Sequence, residues 1–119
     1  MKKLVTILFL FPIFAFATLM VGSQSVTVSN GTAQIIDTSN RRFPITVSLI
    51  PQSGVAGTVE FSNTANAAVA SGVANWQVLG AASNVSVATT VFVSAPVTAL
   101  RFTKISGASA VIGEVSWNQ

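Results

Sequence analysis

From Thr89 to Trp117 apolar and polar side chains alternate, and this period of two constrains the fold more than any other feature of the chain. Val91 and Val93 alternate with Thr90 and Phe92 ahead of Pro96. Leu100 and Phe102 alternate with Arg101 and Thr103 ahead of Gly107, and Val111, Val115 and Trp117 alternate with Ile112, Glu114 and Ser116. In an extended chain, successive side chains point to opposite faces. Each run therefore offers one apolar face to a core and one more polar face outward. The three runs read as consecutive antiparallel strands, a meander.

The rest of the chain falls into similar short runs. Ser25–Ser29 alternates around Val26 and Val28, Asn30-Gly31 tolerates the positive φ of a tight turn, and Thr32–Ile36 returns, which predicts a terminal hairpin. Asp37–Arg42 is a polar loop. Ile45, Val47 and Leu49 share one face of the next strand, and Val59 and Phe61 point inward from the one after it, with Glu60 outward. Asn63–Asn75 is rich in Ala, Asn, Ser and Gly, which predicts an exposed loop with one helical turn at Ala65–Ala70. Trp76–Leu79 starts a further strand, and Val87–Ser94 leads into the meander. About eight strands and no long helix predict an all-β fold, a single antiparallel β-sandwich or jelly roll. Phe61, Trp76, Leu100, Phe102 and Trp117 are its expected core residues.

The N-terminus differs from the rest. Met1-Lys2-Lys3 is basic, Leu4–Phe14 is apolar and Ala15-Phe16-Ala17 has the small-x-small pattern of a signal cleavage site. The expectation is a signal peptide over 1–17 and a β-sandwich domain over 18–119, hence an exported protein. The rival is a retained anchor, because Leu4–Val21 carries no charge and reaches the short end of spanning length. The membrane would then be met only through residues 4–21.

Charge and residue types exclude most chemistry. Charged residues make up 8% of the chain, so the surface must be neutral and polar, without the like-charge repulsion that keeps monomers apart. The net charge of +3 owes much to Lys2 and Lys3; beyond residue 17, Arg41, Arg42, Arg101 and Lys104 face Asp37, Glu60 and Glu114. That balance is too small for a phosphate-binding face, and no nucleic-acid partner is expected. The chain has no His and no Cys, which removes nucleophile–His triads, thiol chemistry and the common zinc sites. Glu60 and Glu114 read as solvated strand charges. No loop has the spacing of calcium ligands, and no phosphate-binding glycine motif occurs. No cofactor, metal or catalytic residue is expected. The candidate partner-contact residues are Arg41 and Arg42, the only charge cluster of the domain, with Asn63 and Asn66 of the long polar loop. For the two arginines the plainer reading is a solvated loop; for Trp76 and Trp117 it is core packing.

Four runs carry a resemblance: Gly57-Thr58-Val59-Glu60-Phe61-Ser62-Asn63, Asn75-Trp76-Gln77-Val78-Leu79-Gly80, Thr89-Thr90-Val91-Phe92-Val93 and Ala95-Pro96-Val97-Thr98-Ala99-Leu100-Arg101-Phe102. Over roughly residues 57–116 the chain resembles the small β-sandwich domains of bacteriophage and prophage virion proteins. It is similar, more weakly, to galactose-binding-like carbohydrate-binding modules. The first resemblance implies a non-enzymatic capsid, decoration or tail-associated subunit that works through protein–protein contacts and self-association, located in the virion. The second implies a secreted module that binds a glycan or a cell surface. A leader is foreign to most virion proteins of this type and fits a membrane-containing virion or an exported protein.

Overall fold

The computed structural model describes residues 21–118, and the expected leader or anchor over 1–17 lies outside them. Eight strands and one short helix follow in order: β1 (Val21–Val28), β2 (Gln34–Asp37), β3 (Ile45–Pro51), β4 (Ala56–Ser62), α1 (Asn66–Ala70), β5 (Gln77–Val78), β6 (Thr89–Val93), β7 (Ala99–Ser106) and β8 (Val111–Asn118). They make two four-stranded sheets, ordered β1-β8-β3-β6 and β2-β7-β4-β5. The alternation explains the core. Ile45, Val47, Leu49, Val111 and Val115 of the first sheet meet Ile36, Val59, Leu100 and Phe102 of the second in one buried cluster, while the residues between them face out. Phe102 reaches across because Gly113 stands opposite, where a Cβ would collide with the ring.

The meander is corrected. β6 pairs with β3, β7 with β2 and β4, and β8 with β1 and β3, so successive strands change sheet. Alternation says which face of a strand is apolar. It is silent about which strand lies alongside, and a partner across the sandwich buries that face equally well. The terminal hairpin is corrected too. β1 lies in the first sheet and β2 in the second, Gly31 is not among the positive-φ residues, and Asn30 instead accepts a hydrogen bond from the Thr32 N–H through Oδ1 at 3.3 Å. The connection crosses the sandwich instead of reversing within a sheet.

Strands pair in a nested way, β1 with β8, β2 with β7, β3 with β6 and β4 with β5, which is the order of a jelly roll. The connections consequently sort to two ends. β1–β2, β3–β4, β5–β6 and β7–β8 turn at one, where Lys104 Nζ donates to the Ser29 and Ser109 carbonyls. Gly107, at φ +97°, presses backbone against the Gly54 turn at that end, leaving no space for a side chain. The β2–β3, β4–β5 and β6–β7 connections gather at the other end, beside Val21 and Asn118.

The helical turn expected at Ala65–Ala70 is α1, none of whose residues is buried. Among the expected core residues, Leu100 and Phe102 are fully buried, and Phe61 and Trp117 pack against the cluster while partly exposed. Trp76 is outside it. Its ring lies under the Arg101 guanidinium, 4.5 Å from centroid to Cζ, on the outer face of the second sheet. The strand expected from Trp76 starts at Gln77, and its register sets Val78 opposite the outward Glu60, so Trp76, two residues earlier, falls on the outer side, out of phase with the buried Leu79. Glu60 faces outward as expected but is not merely solvated, since Arg101 donates to its Oε1 from Nε at 3.0 Å and Nη2 at 2.8 Å.

Candidate functional site

The end that gathers the β2–β3, β4–β5 and β6–β7 connections holds an open cleft of about 700 Å³. Ser39 and Arg41 come from the first connection, Asn63 from the second, and Ser94, Pro96 and Thr98 from the third, with Phe43 and Val97 as apolar surface. A second hollow of about 360 Å³ adjoins it, sharing Asn63, Ser94, Pro96 and Val97 and adding Phe61 and Leu79.

Hydroxyl groups hold the three connections together. Thr38 is buried and donates from Oγ1 to the Val97 carbonyl at 2.6 Å, while its N–H donates to the Thr98 carbonyl at 3.0 Å. Thr98 divides its own hydroxyl between the Ser62 carbonyl at 2.9 Å and the Thr64 carbonyl at 2.6 Å. The Ser62 carbonyl accepts from the Thr98 N–H as well, at 2.9 Å, so short polar contacts from two threonines tie the three connections together. Asp37 closes a local turn by accepting from Ser39 N at 2.9 Å and Ser39 Oγ at 2.6 Å. These two Ser39 bonds, the side-chain one first, hold the Asp37 carboxyl below its usual range, with a smaller contribution from the Arg41 charge.

The four sequence candidates separate. Arg41 and Asn63 both line the cleft. Asn66 is tied to it indirectly, donating from Nδ2 to Ser39 Oγ at 2.9 Å and so linking α1 to the β2–β3 connection. Arg42 is exposed and outside the cleft lining. Arg41 is not the solvated side chain that its loop suggested. It is half-buried, with its guanidinium stacked on Trp117 at 4.1 Å and a long 3.5 Å contact from Nη2 to Gln24 Oε1; its Nε is buried without a partner among the described residues. Gly22 makes the stack feasible, because Trp117 lies directly over it and a Cβ there would run into the indole.

No family model, curated protein or solved structure matches this chain. What the site can do follows from its side chains alone. Among the described residues, no three His, Cys, Asp or Glu side chains gather into a metal-binding group. Phe43, Ser94, Pro96 and Thr98 were absent from the sequence candidates. The signal available for them was proline at the borders of strands, at Phe43-Pro44 and Ala95-Pro96, which marks where connections begin but not that they converge.

A second surface is the outer face of the first sheet. Strand register places Ser23, Ser116, Thr46 and Phe92 in one row, and Ser25, Glu114, Ser48 and Thr90 in the next. Thr27, Ile112 and Ile50 continue it. Ser48 and Thr90 share a hydrogen bond at 3.2 Å. Glu114 is the single charge in these rows, and Phe92 projects from the last strand with 77% of its surface exposed.

Proposed function

We propose that the chain is a non-enzymatic structural subunit that acts by protein–protein contact and self-association, in a virion of the phage type or another exported assembly. The observation that carries this reading is the outer face of the first sheet. Rows of hydroxyls with one carboxylate present almost no charge to repel an approaching copy, and hydroxyls lose less on desolvation than ions do. The jelly-roll strand order is compatible with it by analogy of fold, since capsid subunits use that order, but so do lectins.

The cleft favours a second reading, a secreted module that binds a glycan or cell surface. Support for it is a concave site in which polar groups from Ser39, Arg41, Asn63 and Ser94 stand beside the apolar Phe43 and Pro96, the general make-up of a small-ligand site. Light scattering of the purified chain across concentrations, run beside a glycan array, separates the two. The structural reading expects the mass to rise above that of one copy, with no glycan retained. A chain that stays monomeric at high concentration and holds a glycan overturns it in favour of the binding module.

A further inference from the structure

We infer that the free edge of β6 is a self-pairing surface, through which a second copy of this chain extends the first sheet across a two-fold axis. This rests on the assembly reading and names the contact. β6 pairs with β3 on one side only, so alternate N–H and C=O groups of Thr89–Val93 point to the open side, and the chemistry that satisfies such a row is another extended strand. Exposed edges are ordinarily guarded by charge or proline. β6 has neither, and no charged residue occurs between Glu60 and Arg101. The other edges are poorer candidates. β1 is likewise free of charge and proline, but the outer side chains that its register sets out, Ser23, Ser25 and Thr27, include no apolar anchor of the kind Phe92 gives β6; β2 carries Asp37, and β5 is two residues long.

Symmetry selects the register. Residues opposed in an antiparallel pair point to the same face, so odd positions of one strand must meet odd positions of its copy. Centring the axis on Val91 pairs all of β6, with Thr89 opposite Val93 of the second copy and Thr90 opposite its Phe92. Both exposed phenyl rings then lie over the junction, each beside a threonine methyl. The strands are short, so the contact falls at the small end of specific interfaces, below about 1,200 Å², and the dimer dissociates on dilution.

Sedimentation of the full chain over a hundred-fold range of concentration should show one copy passing to two. The variant T90K/F92K sets lysines opposite one another and should weaken association by at least ten-fold, while T90E/F92K sets opposite charges in register and should restore most of it. Both positions are exposed, so thermal melting should change little. An oligomer that T90K/F92K leaves untouched overturns the β6 contact and leaves the assembly reading standing; a parent that is monomeric throughout overturns both. Should the lysine variant fail to fold, a mixture of single variants T90C and F92C supplies the answer, because the chain has no other cysteine. Oxidation should cross-link the mixture and neither variant alone, and a mixture without cross-links overturns the register.

Discussion

Two residues of similar appearance in the sequence have different weights in the structure. Phe102 is fully buried and fills the space that Gly113 leaves open, so Phe102→Ala should cost about 3–5 kcal/mol in a denaturant titration. Trp76 stacks on Arg101 outside the core, and Trp76→Ala should cost less than half of that. Asp37 supplies the acid-sensitive contact of the cleft. Its folded-state pKa is depressed, so its stabilisation is complete above the ordinary Asp value of about 3.9 and is lost as pH falls through the lower folded value. Asp37→Asn removes that titration. The stability of the variant, followed by chemical denaturation from pH 6 to pH 2, should decline less than that of the parent, and equal slopes would show that the Ser39 contacts are not held in solution.

Among the elements, α1 and β8 mark opposite extremes. The helix buries no residue and is held to the β2–β3 connection by the exposed Asn66–Ser39 bond. Deleting Ala65–Ser71 forfeits about 0.5–1.5 kcal/mol for that bond and should leave a cooperative melt, lowered by no more than about 10 °C. The same deletion should weaken assembly if the polar loop takes part in it, which light scattering of the variant reads directly. The Glu60–Arg101 pair joins β4 to β7, yet both side chains are partly exposed, and such pairs are worth no more than about 1 kcal/mol.

At the scale of the molecule, nesting makes the strand nearest the C-terminus central. β8 is hydrogen-bonded to β1 on one side and to β3 on the other, and it contributes Val111 and Val115 to the core. A chain ending at Ala110 would leave β1 without a partner and expose the core faces of β3 and β7. It should show no cooperative thermal transition by circular dichroism. A meander with a separate terminal hairpin would instead lose one edge strand and still melt, so this truncation distinguishes the two architectures. The convergence of three connections at one end has the same origin, because antiparallel nesting sends every second turn to the same side.

Alternation within short runs is a local property, and it was enough for the all-β class, the number of strands and the inward side of β3, β4, β7 and β8. Ile45, Val47 and Leu49 were legible as one face because a period of two leaves no other arrangement that buries all three. Neutrality of the surface was likewise legible, since composition alone limits the charges available. Pairing was not. Asn30-Gly31 suits a tight hairpin, but β1 and β2 join opposite sheets beside β8 and β7, partners far away in sequence that no local signal specifies. Arg41 and Trp117 are similarly remote along the chain, and the stack between them exists only because Gly22, their neighbour across β1 and β8, leaves a flat place for the indole. The cleft was decided in the same way: its residues are ordinary loop letters until the nested order of strands carries three connections to one end.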